Sequence, residues 1–327
     1  MEISKARRAI LLAGAFSMIL PAAFAQSQAP FPDRPVTLIV GFPPGGPTDV
    51  IARLIADKLS AMWKQSVIVE NKPGASANIA ARTVASAKPD GYTLLYTTSA
   101  LAISPGLYDK LPFNVVEDFA PITETVTIPL VLAVHPSVPV KNLAEFIAYL
   151  RDNPGKLNYA SAGLGTPTFL GAALFLQEHG LKAQHVAYKG TAPALTDLAA
   201  GTVQFTFGLI NTALPFIRDG RLNAIAVTSL ARSAALPDIP TLEESGMKGF
   251  EASAWHGMYA PAKTPDGIIR KINEDVAKVL KMDDIAAHLG RHAAQVRATS
   301  SDAFAQYTHN EVKRWTKVAQ DNNAKAE

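Results

Sequence analysis

The sequence predicts an α/β protein of two similar lobes, and three observations carry that prediction. Short apolar runs rich in β-branched residues alternate with segments whose apolar positions recur at helical spacing. Strands buried on both faces and followed by helices form parallel sheets with right-handed crossovers. Two strand-to-helix junctions, one in each half, share a Gly-x-Pro-Thr start: Gly45-Gly46-Pro47-Thr48 and Gly165-Thr166-Pro167-Thr168.

The first junction organises the rest. Val36 to Val40 is a buried-strand run, Gly41 to Pro47 cannot continue it, and Ile51, Ile55, Leu59 and Met62 recur as on one helix face. Such a loop presents backbone N–H groups and the positive end of a helix dipole at the carboxyl edge of a sheet, where an anion can sit. Gly41 and Gly46 have the spacing of a phosphate loop, but Pro47 stands where that motif needs lysine, and no Rossmann fingerprint is present. Residues 66–70 read as the next strand, 71–74 as a turn, 78–87 as a helix and 92–98 as a third strand. Thr97, Thr98 and Ser99 then lie on the same sheet edge, able to face a ligand or to cap a helix.

Residues 101–129, interrupted by Pro105, Pro112 and Pro121, read as irregular, with the first crossing between lobes at 127–131. Asn142 and Glu145 form a capping box for a helix to Arg151. The strand at 157–161 leads into the second junction, with Thr166 as N-cap and Pro167 at the first helical position. Strands at 184–188, 203–207 and 222–228 alternate with helices at 192–200 and up to 219. Tyr188, Gly190, Thr191 and Asn211 fall just beyond strand ends and form a second rank of cleft residues. A strand at 252–260 returns to the first lobe, and helices at 265–280 and 301–322 complete it. The expected division is residues 26–128 with 251–327 as domain 1 and 129–250 as domain 2.

Met1 to Ala25 has the features of an export signal. Lys5, Arg7 and Arg8 precede an apolar stretch from Ala9 to Leu20, Pro21 breaks it, and Ala23-Phe24-Ala25 is a cleavage site. The apolar stretch is shorter than the roughly 20 residues a membrane span needs. Cleavage after Ala25 would release the chain to the periplasm. It would also lower the net charge from +3 to +1, which gives no reason to expect nucleic acid or a membrane surface as partner. The absence of cysteine excludes disulfides, thiol nucleophiles and Cys-bound metals.

Six strings occur in order along the chain: PPGGPTDVIAR, NKPGASANIAA, LPFNVVEDFAPI, SAGLGTPT, VAYKGTAPALTDLAAG, and ALPDIPTLEESG running on to HGMYAPAKTP. Together they resemble the Bug-type extracytoplasmic solute receptors of tripartite tricarboxylate transporters. The resemblance implies a type II periplasmic binding protein, a Venus flytrap of two α/β domains joined by two crossover strands. It implies a monomer without cofactor or metal, which grips a carboxylate through backbone groups and water and meets membrane permease subunits. Carried onto this sequence, the gripping loops are Phe42, Pro43, Gly46 and Thr48, then Ser161, Gly163, Gly165 and Thr166. Ser99, Tyr188, Thr191 and Asn211 join them as expected ligand contacts. Asp49 and Arg53 are expected to support the first loop as a helix-start pair, and His256, on the returning strand, to contact ligand or fill the hinge.

Three departures from the family pattern bear on the ligand. Phe169 stands where histidine is frequent, Gln204 where aspartate follows Gly-x-Val, and Gly208 in place of an acid. Losing acids removes partners for a ligand ammonium, and Phe169 adds a ring, so an amine-free organic acid is expected, such as an aromatic mono- or dicarboxylate of the phthalate type. Against this stands the reading of Phe169 as core. A sensory receptor on the same fold is an alternative. A hydrolase is disfavoured, since Ser161 lies in Ala-Ser-Ala-Gly rather than a nucleophile elbow. His288 and His292, four apart, lack a local carboxylate and read as a solvated helix face rather than a metal site.

Overall fold

The computed structural model describes residues 31–291, 293–322 and 324–325. The proposed export signal and His292 lie outside the described residues. In the first half, β1 (Val36–Val40) pairs in parallel with β2 (Val67–Asn71) and β3 (Thr93–Thr98). The crossovers are α1 (Pro47–Trp63), which buries Ile51, Ile55 and Leu59 against the sheet, and α2 (Asn78–Ala85).

Residues 101–129 are more regular than their prolines suggest. They contain α3 (Ala100–Leu107), with Pro105 inside it, and lead into a strand of 16 residues, β4 (Phe119–Val134). Both elements override local propensity through packing. All of α3 except Pro105 is buried, which outweighs the helix bond that Pro105 cannot make. Pro121 falls at a register shift, where a ladder tolerates a missing donor. Pro129 is the last residue to pair with the returning strand.

In the second half, Asn142 starts α4 (Leu143–Asp152) by accepting from the Glu145 N–H at 2.9 Å, while Glu145 accepts from the Lys141 N–H at 2.8 Å. Next come β5 (Asn158–Ser161), α5 (Pro167–Glu178), β6 (Gln184–Ala187), α6 (Thr191–Ala199) and β7 (Phe205–Leu209). β5 lies between β6 and β7, parallel to both. α7 (Ile210–Arg218) and β8 (Asn223–Val227) follow, and β9 (Ser253–Pro261) returns between β3 and β4, antiparallel to each. α8 (Asp266–Leu280), α9 (Asp283–Arg291), β10 (Gln295–Val296) and α10 (Ser301–Asp321) end the chain. β10 was not expected, whereas α9 contains the helix position at which His288 was read. β10 has two residues, too few for alternation to show.

β4 changes partners midway. From Phe119 to Pro129 it pairs with β9, and from Leu130 to Val134 it runs antiparallel to β7 and, through a bulge, to β8. The two halves therefore share one ten-stranded sheet system. α3 and α10 tie them further, because Ile103, Leu107, Trp315 and Val318 join the same apolar cluster as Phe169, Phe175 and Phe207. Glu311 on α10 accepts from the indole N–H of both Trp255 on β9 (2.9 Å) and Trp315 (2.7 Å).

Glu124 lies on β4 opposite Gly257 of β9, buried, with Arg297 at 3.5 Å. Burial pushes its carboxyl up to about 7, against the opposing pull of the Arg297 guanidinium. A carboxyl raised from an ordinary 4.5 holds its proton more tightly in the folded chain. Its stabilising contribution is full below the ordinary value and is lost as pH rises through the raised one. Between about pH 5 and pH 8, Glu124→Gln should therefore lose less melting temperature than the wild type. Parallel melting profiles of the two proteins across that range would refute the assignment.

Candidate ligand-binding cavity

The carboxyl ends of the parallel strands of both halves meet across β4 and β9, and a cavity of about 290 Å³ lies between them. Helix starts form most of its wall: Pro47 and Thr48 of α1, Ala100 of α3 after Thr98, Thr166 to Thr168 at α5, and Gly190 with Thr191 at α6. Phe42, Ser76, Ala162, Gly165, Leu209 and, from the crossing strands, Ile128, Ala254 and His256 complete it. No Lys, Arg, Asp or Glu is among the described lining residues. First-turn N–H groups have no partner within their own helix, and four dipoles add with the same sign. The cavity thus offers positive potential and hydroxyl donors without a formal cation, which suits a carboxylate.

The first loop is held from behind. Asp49, buried, accepts from the Gly45 N–H at 2.9 Å and from Arg53 Nε at 2.9 Å through one oxygen, and from Asn71 Nδ2 at 2.8 Å through the other. Asn71 also donates to the Phe42 carbonyl at 3.0 Å. Burial acts to raise the Asp49 pKa, but the bonds from Arg53, Gly45 and Asn71 outweigh it and hold the carboxyl below its ordinary value. An acid within an anion-binding loop is thereby turned inward and neutralised. Asp49 and Arg53 have the supporting geometry expected of them, while Asn71, read as a turn residue, is the third member the sequence did not reveal.

The second loop has its own frame. Thr166 caps α5, accepting from the Phe169 N–H and donating to the Gly163 carbonyl at 2.7 Å. Thr168 Oγ1 accepts from the Ala162 N–H at 2.9 Å. Ser161 Oγ accepts from the Gly163 N–H at 3.1 Å and shares a 2.7 Å hydrogen bond with His185 Nε2. Burial pushes His185 down to about 4, so it is a neutral partner. Gly165 has φ +74°, a backbone conformation that favours glycine, and it packs closely against the Leu107 side chain of α3.

Phe42, Thr48, Gly165, Thr166, Thr191 and His256 all line the cavity. His256 is buried on β9, lies edge-on to Tyr96, and is pushed down to about 4 by burial, with Nδ1 unpartnered. Other expected contacts do not line it. Pro43 is exposed, and Gly46 caps α1 through extended backbone. Ser99 is buried beside Thr98, which lines the cavity in its place. Ser161 is buried under the loop, and Gly163 serves as acceptor for Thr166. Tyr188 donates to Asp197 at 2.7 Å. Phe169 is buried against His185, with ring centroids 4.6 Å apart, so the core reading of this residue holds.

Two departures are explained without a ligand. Gln204 accepts from the Asn158 N–H and donates to the Gly201 carbonyl, and Gly208 pairs with Val131 inside the sheet. Asn211 opens instead onto an adjoining chamber, together with His288, which is half-buried there rather than on a solvated face. No group of metal-binding side chains occurs among the described residues. Thr168, part of the shared Gly-x-Pro-Thr start, was not among the expected contacts, and Ser76 and His185 were not singled out: Ser76 stands in a left-handed turn before α2, and His185 reaches Ser161 only through the pairing of β6 with β5.

Two α/β halves joined by shared crossing strands, with an anion-ready cavity between them, define a solute receptor of the periplasmic binding protein fold. The profile of the tripartite tricarboxylate transporter family receptor matches residues 51–324, and the chain belongs to that family. Among solved structures, the periplasmic binding protein BugD is 32% identical at a TM-score of 0.75, covering 90% of this chain and 100% of its own. A Rhodopseudomonas palustris protein solved with adipate is 35% identical at 0.79, covering 90% and 100%. MatC of the same organism, solved with malate, is 33% identical at 0.75, covering 88% and 100%.

Asp49→Ala should lower stability by about 1–3 kcal/mol, because it leaves the Gly45 N–H and one of the two Asn71 amide N–H groups unmatched. A folded pKa below the ordinary 3.8 stabilises above that value and is lost as pH falls through the folded one. The difference between wild type and variant in urea melts should therefore shrink in acid, and a pH-independent difference would contradict the role given to Asp49.

Proposed function

We propose that this chain captures a small organic carboxylate between two lobes and delivers it to the membrane subunits of a tripartite transporter. The observation that carries this reading is the convergence of four helix starts on a cavity whose described lining has no charged side chain. A carboxylate there accepts from backbone N–H groups and from the hydroxyls of Thr48, Thr98, Thr166, Thr168 and Thr191. An ammonium finds no acid, which supports an amine-free ligand on firmer ground than Gln204 or Gly208. Adipate and malate in the related structures support the ligand class.

The moving units in this reading are residues 26–128 with 251–327 and residues 129–250, closing about β4 and β9. The chain works as a monomer in the periplasm after cleavage behind Ala25, and it binds rather than transforms its ligand. Ser161 and His185 are a loop brace here, since neither lines the cavity and no carboxylate partners His185 among the described residues. An aromatic acid of the phthalate type remains within this ligand class, without help from Phe169.

The test is a thermal-shift screen of organic acids against their carboxamides. At one hundred times its dissociation constant a true ligand adds about 2.7 kcal/mol, and the matching amide should add nothing measurable. Mass spectrometry of the released ligand should return it unchanged. Equal shifts from acid and amide, or recovery of a reaction product, would overturn the proposal.

A further inference from the structure

Beside the cavity lies a second chamber of about 210 Å³. Pro47 and Ile128 line both, so the two spaces adjoin across these side chains. Their chemistry differs. The cavity is ringed by hydroxyls, whereas the chamber has none on its lining and is walled by Val50 and Ile51 of α1 and Leu289 of α9. Pro47 has no N–H to offer, and the N–H of Gly45, which also lines the chamber, is already held by Asp49. The chamber therefore lacks the donors that make its neighbour fit for an anion. Two polar side chains line it: the Asn211 amide at the start of α7, whose Oδ1 is buried without a hydrogen-bond partner, and the half-buried His288 imidazole.

Val50 sharpens the point. It is 37% exposed, an apolar side chain left uncovered at the edge of an apolar space. The volume sets the size of what could cover it, since a dry cavity of about 150 Å³ is enough to take benzene.

We propose that the chamber receives the apolar body of the ligand whose carboxylate occupies the cavity. The preferred ligand is then a monocarboxylate carrying a six-membered ring or a hydrocarbon of similar bulk, with a neutral hydrogen-bonding group at its far end against Asn211. An amide donates and accepts, so a hydroxyl satisfies it on both counts, whereas a second carboxylate, which only accepts, leaves the buried Oδ1 without a donor. This inference rests on the carboxylate reading of the cavity and names the ligand class within it.

Calorimetry with the purified chain tests it, using malate, benzoate, 4-hydroxybenzoate and benzene-1,4-dicarboxylate as probes. Wild type should bind 4-hydroxybenzoate most tightly. Val50→Trp, at an exposed position where the fold tolerates bulk, should lower the ratio of benzoate to malate affinity by roughly tenfold, as expected for a ring denied apolar contact. Asn211→Leu should abolish the preference for 4-hydroxybenzoate over benzoate. Unchanged ratios in both variants, or tightest binding of the dicarboxylate, would overturn the chamber's role while leaving the carboxylate reading intact. Failure of every acid to bind the wild type would remove that reading, and the inference with it.

Discussion

The arrangement depends on one strand that belongs to two sheets. β4 pairs with β9 up to Pro129 and with β7 and β8 from Leu130 onward, so the two halves are fixed to one another by backbone hydrogen bonds. Within each half the parallel strands end at the same seam. Every βα loop must then turn into its helix there, because a parallel strand is followed by a crossover. The convergence of α1, α3, α5 and α6 on one cavity follows from topology, before any side chain is chosen.

The proposed recognition of a carboxylate without a cation places its own demand on the loops. A lysine or arginine could follow a displaced anion, but backbone N–H groups are as precise as the turns that hold them. Each turn accordingly has an internal frame: Asp49, Asn71 and Arg53 behind the first, Ser161, His185, Thr166 and Thr168 behind the second. These frames explain why several residues at the expected positions do not meet the ligand space. Ser161 and Asp49 have the right chemistry for contact, yet their polar atoms already hold the loop in shape.

Legibility from sequence followed the same division. The strand-loop-helix junctions were readable because apolar period and Gly-Pro punctuation change within a few residues, and Thr166, Pro167 and Asn142 carry local capping chemistry. Residues 101–129 were misread because their prolines argue locally for irregular structure, while α3 and β4 form through burial that local pattern does not report. Site residues divided by whether their side chains sit at a helix start or within a strand. Thr48, Thr166 and Thr191 belong to the first kind. Thr98 was passed over for Ser99, since the face a residue takes at a strand end is set by register with β9. Phe169 looked like ligand chemistry but is buried in the apolar cluster of the second half, because past Thr168 α5 turns from the cavity into that core.

α3 connects these threads. Its start, at Thr98 and Ala100, lies on the cavity wall, and its far end inserts Ile103 and Leu107 into the apolar cluster of the second half. Leu107 also meets Gly165, a residue of the loop before α5 whose positive φ favours glycine. Through Leu107 the start of α3 is therefore joined by direct packing to the loop on the other side of the cavity. α10 packs on α3 and carries Trp315 into the same cluster, so the pair forms a strap across the halves outside the two crossing strands. Movement of one half against the other has to slide or reseat this strap. On the proposed reading, ligand contacts at both loops would favour the arrangement in which it is seated, which would give the cavity a direct physical hold on the relative position of the two sheets.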